Sequence, residues 1–205
     1  SMIKFGTRGV LGSVSPVDDL RIDQLMVGLV VEPRALGLYV AASSFCNLPR
    51  FIAQSIGLVS YPRIASAPSA SAAWAVLTRS AKIGLLLVTS TVVALILVVP
   101  LALPALYGDE FKDAVKLAYI LLAATMFLSF RRLFTEFARG LGHPGFGSIG
   151  EVVSTILLVG GVIALTTVTE SSIAWLVLVA SAVSALLIAV LLLRVRSPSR
   201  RDDGA

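Results

Sequence analysis

Long apolar runs alternate with short polar segments along the chain. A membrane-spanning helix needs about 20 predominantly apolar residues, and six runs reach that length. They cover residues 7–31, 36–60, 83–106, 114–134, 147–168 and 173–193. The pattern predicts an all-α integral membrane protein, a bundle of about six transmembrane helices that form one lobe over residues 1–193.

The segments outside these runs have a different composition. Residues 61–82 make a linker rich in Pro, Ser and Ala, and its last part, around 73–82, carries Trp74, Arg79 and Lys82. Such a stretch is typical of an interfacial helix that lies in the plane of the membrane surface. Residues 194–205 are charged and carry few apolar side chains, which predicts a disordered basic tail.

Composition and charge support a membrane location. Of the 205 residues, 57% are hydrophobic and 14% are charged, against roughly 25% charged in an average soluble domain. The net charge of +5 is a topology signal. With six spans, twelve of the 17 basic residues fall on the side of the termini, three on the opposite side and two within the membrane. This asymmetry predicts cytoplasmic termini in a multi-pass protein of the cell inner membrane, and it argues against a nucleic-acid partner.

Familiar catalytic motifs are missing from the sequence. Cys46 is the only cysteine, so neither an internal disulfide nor a cysteine-based metal site is expected. There is no nucleophile elbow, HExxH, phosphate loop or CxxC. We therefore expect a protein that is not an enzyme and that binds no cofactor or metal.

The first span contains a cluster of charges, namely Asp18, Asp19, Arg21 and Asp23. Each charge at the centre of a bilayer costs about 2.5–3.5 kcal/mol on insertion scales, and it persists mainly where it lines a polar cavity or has a partner. Asp19 and Asp23 are four residues apart and share one helix face. Arg21 points elsewhere but is three residues from Asp18, with which it can pair.

Arg50 is a second intramembrane charge, and it directly follows Pro49 in the second span. At about 1.5 Å per residue, it lies within roughly 3 Å of the depth of Asp18 and Asp19. One hypothesis is a charged cavity wall that binds an anionic headgroup or relays a proton. The alternative is a buried salt bridge that only fixes helix packing, and the sequence leaves both open.

Glu151 lies just inside the predicted start of the fifth span. A carboxylate in the first turn of a helix stabilises the helix dipole, and this is the interpretation that we favour. Participation in ion coupling or in a salt bridge is the alternative.

The order of several segments resembles a known family. These segments are KFGTRGVLGS, RIDQLMVG, ALGLYVAASSF, YPRIAS and ALPALYGDEFKDAV. Together they are similar to the polysaccharide-biosynthesis flippases of the multidrug/oligosaccharidyl-lipid/polysaccharide exporter superfamily. The similarity runs from about Ile3 to Leu193 and matches the C-terminal six-helix lobe of those two-lobed proteins.

The resemblance implies a flippase that translocates an oligosaccharide carried on a polyprenyl diphosphate, by alternating access around a cavity between two lobes. Arg21 and Arg50 would line that cavity and bind the diphosphate. Asp19 and Asp23 would tune them or couple transport to an ion gradient. The expected partners are membrane lipid, the lipid-linked oligosaccharide and a second six-helix lobe.

A single lobe lacks the opposite wall of the cavity. We therefore expect this chain to be half of a split transporter, a homodimer that imitates two lobes, or a truncated product. Two further functions stay open from the sequence: a non-transporting membrane scaffold or remnant, and a drug or cation exporter of the same superfamily.

Overall fold

The computed structural model describes residues 21–196. These residues form seven α-helices, with no strand among them, so the all-α class is confirmed for this part of the chain. The helices are α1 (Ile22–Val30), α2 (Pro33–Ser44), α3 (Asn47–Ala65), α4 (Ala70–Tyr107), α5 (Ala114–Gly140), α6 (Gly145–Ala164) and α7 (Glu170–Arg196), with a 3-10 turn at Asp109–Phe111 between α4 and α5.

Helix α5 is the centre of the bundle and packs against α2, α3, α4, α6 and α7. Glycines on its neighbours allow the closest approaches. A Cβ at Gly84 of α4 would lie 2.5 Å from Leu133, and one at Gly147 of α6 would lie 2.4 Å from Thr135. Small residues let helix backbones come together where no hydrophobic force drives association. We call the two ends of the bundle the Gly108 end and the Gly140 end.

Four helices are long and apolar enough to cross a membrane, namely α4, α5, α6 and α7. Apolar side chains on these helices point away from the bundle; Leu97, Leu101 and Ile163 are 71%, 77% and 79% exposed. Apolar surface on this scale needs a lipid environment. The chain is therefore a multi-pass membrane protein. The first predicted span lies partly outside the described residues, since these begin at residue 21.

The second predicted span, 36–60, is broken into two helices. Helix α2 ends at Ser44 and α3 begins at Asn47. Pro49 accounts for the break, because it has no N–H to donate to the carbonyl of Phe45 and its ring collides with that carbonyl. The break lies one turn before Pro49, which is inside the predicted second span.

The predicted linker over 61–82 is wrong in its extent. Helix α3 continues to Ala65, and α4 begins at Ala70, where the Ser69 hydroxyl accepts a hydrogen bond of 3.2 Å from the N–H of Ala72. Only 66–69 connect them. The stretch 73–82 is therefore the first part of α4 and not a separate interfacial helix. Ala73 and Leu77 are buried in a core cluster at the Gly140 end, and Trp74 and Val76 are partly buried against it. No Gly or Pro before Gly84 interrupts the helix.

The last described helix extends beyond the predicted end of the sixth span. Helix α7 reaches Arg196, so the first residues of the predicted tail are helical. Residues 197–205 lie outside the described part of the chain.

Candidate functional site: a charged cavity beside the central helix

A cavity lies where α1, α2 and α3 meet the middle of α5. Its polar wall contains Arg21, Asp23, Gln24, Ser43, Cys46, Arg50 and Thr125, and its apolar wall contains Leu121, Ala124, Leu128 and Val177. The structure therefore brings Arg21, Asp23 and Arg50 together, although 26 residues or more separate Arg50 from the other two. Asp18 and Asp19, the other predicted members of this site, lie outside the described residues.

Asp23 is the acidic group of the cavity. The hydroxyl of Tyr39 donates a hydrogen bond of 2.9 Å to Oδ2 of Asp23, and the Tyr39 side chain is completely buried. Arg21 and Arg50 both attract the carboxylate electrostatically. Among residues 21–196, two guanidinium groups and one carboxylate line the cavity.

Arg21 is held in an uncommon backbone conformation. It precedes α1 with φ 47° and ψ 52°, in the left-handed region, which costs a residue with a side chain roughly 1–2 kcal/mol. Its Nη2 donates a hydrogen bond of 3.0 Å to Oδ1 of Asn47 on α3. Such conformations cluster at functional sites, where the surrounding structure stabilises them.

The break between α2 and α3 supplies further polar groups. Nε2 of Gln24 donates a hydrogen bond of 2.8 Å to the Ser43 hydroxyl. The buried Cys46 interacts through its side chain with Thr125 of α5. Gln24, Tyr39 and Asn47 were not predicted from the sequence as members of this site. The run SSFCN, which contains three polar residues and ends two positions before Pro49 inside a predicted span, was the signal for this region.

The cavity is small in this conformation. Its volume is about 30 Å³, which is room for one or two water molecules. A diphosphate does not fit unless the surrounding helices move apart.

A second charged pair lies closer to the Gly140 end. Arg131 of α5 forms an ion pair with Glu151 of α6, and their side chains are only 5% and 15% exposed. Glu151 is the seventh residue of α6, because the helix starts two residues before its predicted start. It is therefore beyond the first turn, and the helix-dipole interpretation is wrong. Arg131 is one of the twelve basic residues that the predicted topology places on the side of the termini, and its side chain is buried in the bundle.

An open depression of about 440 Å³ lies at the Gly108 end, separate from the cavity. Glu32, Arg34 and Glu170 contribute its charged side chains. No group of three or more potential metal ligands occurs within residues 21–196.

A bundle with lipid-facing apolar helices and a charged internal cavity is typical of membrane proteins that handle a polar ligand within the bilayer. A family model described as polysaccharide biosynthesis protein matches residues 1–116, more than half of the 205 residues. The chain belongs to this family of polysaccharide biosynthesis proteins. The matched region contains Arg21, Asp23 and Arg50, whereas Arg131 and Glu151 lie beyond it. Comparisons with curated proteins and with solved structures found no match.

Proposed function

We propose that the chain is one lobe of a flippase for a polyprenyl-diphosphate-linked oligosaccharide. It would act in the cytoplasmic membrane during cell-surface polysaccharide biosynthesis, with six spans and both termini in the cytoplasm. Membership of a polysaccharide biosynthesis family supports the pathway. Apolar helices around a charged cavity support transport across the bilayer rather than chemistry at its surface.

The observation that carries the proposal is that two arginines, Arg21 and Arg50, line one cavity inside the bundle. Arg21 and Arg50 present planar guanidinium groups that suit two-point contact with phosphate oxygens. Asp23 attracts both arginines electrostatically and accepts a hydrogen bond from Tyr39. Two guanidinium groups favour an anionic ligand over the organic cation that a drug exporter would carry.

The small volume of the cavity requires a moving wall. In the proposed cycle, the described conformation is the closed state of this half of the site, and a diphosphate enters after α1 and α2 separate from α5. Two residues, Phe45 and Cys46, connect α2 to α3 beside the cavity. They would be the hinge for the movement of α2 away from α5. Alternating access then needs a second six-helix lobe opposite Arg21 and Arg50, from a separate chain or from a second copy.

The remaining charges have supporting roles in this proposal. Asp19, together with Asp23, would tune the arginines or couple flipping to an ion gradient. Asp18 and Glu151 would take part in coupling or hold neighbouring groups through salt bridges, as Glu151 does with Arg131.

Complementation of an export-deficient strain tests the proposal. The variants Arg21→Gln and Arg50→Gln keep a polar side chain and remove the charge. We expect each to lower surface polysaccharide by roughly ten- to a hundredfold, since a hydrogen bond to a charged group contributes about 1.5–3 kcal/mol. Arg63→Gln is the matched control, because Arg63 is exposed at the end of α3 and far from the cavity.

A scaffold role predicts a different outcome. If Arg50→Gln restores export as well as the unaltered chain does, while loss of the whole chain abolishes export, the cavity is not a substrate site. The chain would then act through assembly.

A further inference from the structure

Helix α3 carries a row of polar side chains that leads away from the cavity. Arg50, Gln54 and Tyr61 are spaced by four and seven residues, so they lie on one face of the helix. Arg50 and Gln54 are half-buried, and Tyr61 is exposed near the Gly140 end. Towards the lipid side, the same helix exposes Phe51 and Leu58.

Helix α5 carries a matching row, formed by Arg132, Glu136 and Arg139. These residues are spaced by four and three positions and are all half-buried. Nη1 of Arg139 donates a hydrogen bond of 3.0 Å to Oε1 of Glu136.

The two rows meet along the contact between α3 and α5. A Cβ at Gly57 would lie 2.8 Å from Cγ of Glu136, and the Arg139 guanidinium carbon is 5.8 Å from the centroid of the Tyr61 ring. Because the two helices run in the same direction, Gln54 and Arg132 lie one turn nearer the cavity. We call this row the polar seam; its members are Arg50, Gln54, Tyr61, Arg132, Glu136 and Arg139.

Counted over the described part of the chain, the polar seam has more arginines than carboxylates. Helices α3, α5 and α6 contain two carboxylates, Glu136 and Glu151, and these are paired with Arg139 and Arg131. Arg132 makes no hydrogen bond or ion pair with any residue of the described chain. A half-buried guanidinium without a partner among residues 21–196 is the kind of group that binds water or an anion.

The opposite side of the bundle is apolar at the same depth. Leu86 of α4 is 69% exposed and lies two residues from Gly84, which packs on Leu133 of α5. The polarity of the seam is therefore a local feature and not a consequence of depth.

We propose that the polar seam is a water-accessible track along which an anionic headgroup passes between the charged cavity and the Gly140 end. The identity of that headgroup as a diphosphate rests on the proposed function. Arg132 is the intermediate binding group, one turn beyond the cavity arginine Arg50.

Reactivity of introduced cysteines with water-soluble thiol reagents tests the track without any transport assay. In a Cys46→Ala background, Gln54→Cys reports on the seam and Leu86→Cys is the lipid-facing control at similar depth. The probes are the anionic ethylsulfonate and the cationic trimethylammonium methanethiosulfonates, each rate normalised to that of a free thiol in solution.

We expect Gln54→Cys to react and Leu86→Cys to stay unreactive. The anionic probe should react with Gln54→Cys roughly three- to tenfold faster than the cationic one because of the nearby arginines. Adding Arg132→Gln should lower that preference at least twofold. Arg132→Cys is a second reporter should Gln54→Cys not fold, and it too should react.

An unreactive cysteine at both positions in folded protein overturns the track, as does a charge preference that Arg132→Gln leaves unchanged. Failure of the track can be distinguished from failure of the proposed function. If the seam is unreactive while Arg50→Gln loses export, the track fails and the cavity assignment stands. If the seam is reactive and anion-selective while Arg50→Gln exports normally, the anion track stands and the flippase assignment fails.

Discussion

The hydroxyl of Tyr39 donates a hydrogen bond of 2.9 Å to Asp23, and this contact links α2 to the carboxylate of α1. Both groups lie next to the cavity, and Tyr39 is fully buried. A carboxylate inside a helix bundle is stabilised only by the donors and charges around it. The pair therefore couples the packing of α1 on α2 to the electrostatics of the candidate site.

Removing the Tyr39 hydroxyl tests this coupling. We expect Tyr39→Phe to lower the free energy of unfolding by about 1–3 kcal/mol, because a buried acceptor loses its donor. Thermal unfolding in detergent measures the loss. Tyr119→Phe is the matched control, since Tyr119 is exposed and should tolerate the change. Equal melting temperatures for the two variants would contradict the assigned role of the hydrogen bond.

The buried pair Arg131–Glu151 predicts non-additive effects. Either Arg131→Met or Glu151→Gln alone should destabilise the protein by about 3–5 kcal/mol, because an uncompensated charge stays buried. The double variant should recover much of that loss. A double-mutant cycle by denaturant unfolding measures the coupling. The exposed pair formed by Lys112 and Asp109 is the control, and Lys112→Met should lower stability far less than either change at the buried pair. Strict additivity at Arg131 and Glu151 would exclude an energetic coupling between them.

Two glycines that differ in surroundings predict opposite effects of the same substitution. A Cβ at Gly140 would lie 2.9 Å from Cβ of Ile64 and 3.2 Å from the carbonyl oxygen of Tyr61, whereas Gly160 has no neighbour within 4 Å. Gly140→Ala should cost about 1–3 kcal/mol by forcing α3 and α5 apart. Gly160→Ala should be neutral or stabilising by up to roughly 1 kcal/mol, since alanine favours helix. Melting temperatures that fall together would refute the close approach at Gly140.

In the turn at the Gly108 end, the pKa of the Asp109 carboxyl group should depend on the neighbouring Lys112. Asp109 forms a 2.8 Å ion pair with Lys112, and the hydrogen bond and charge of Lys112 lower the pKa of Asp109 below its ordinary value of 3.8. The pair therefore favours the folded state above pH 3.8, and this contribution disappears as the pH falls through the lowered pKa. Carboxyl NMR titration should show the pKa rising towards 3.8 in Lys112→Gln or in about 1 M salt. A pKa that is insensitive to both changes would exclude the ion pair in solution.

Apolar periodicity and length were sufficient to predict the helices that became α4 to α7, because burial in lipid requires long apolar runs. They were not sufficient at 36–60, where the helix breaks one turn before Pro49. They also failed at 73–82, because side-chain packing makes this stretch the first part of α4. Charges inside spans pointed to Arg21, Asp23 and Arg50, since such charges need a polar environment. The pairing of Arg131 with Glu151 could not be predicted, because it depends on how α5 and α6 pack.

The most direct test of the flippase proposal measures movement of the lipid-linked oligosaccharide itself. In intact spheroplasts, an impermeant sugar-binding lectin reports how fast the oligosaccharide reaches the outer leaflet, and lipid extraction reports the total pool. In Arg50→Gln, the rate at which the oligosaccharide reaches the outer leaflet should fall by roughly tenfold or more, and the pool in the inner leaflet should grow. Arg63→Gln should behave like the unaltered chain. An unchanged appearance rate in Arg50→Gln would contradict the claim that the charged cavity carries the diphosphate.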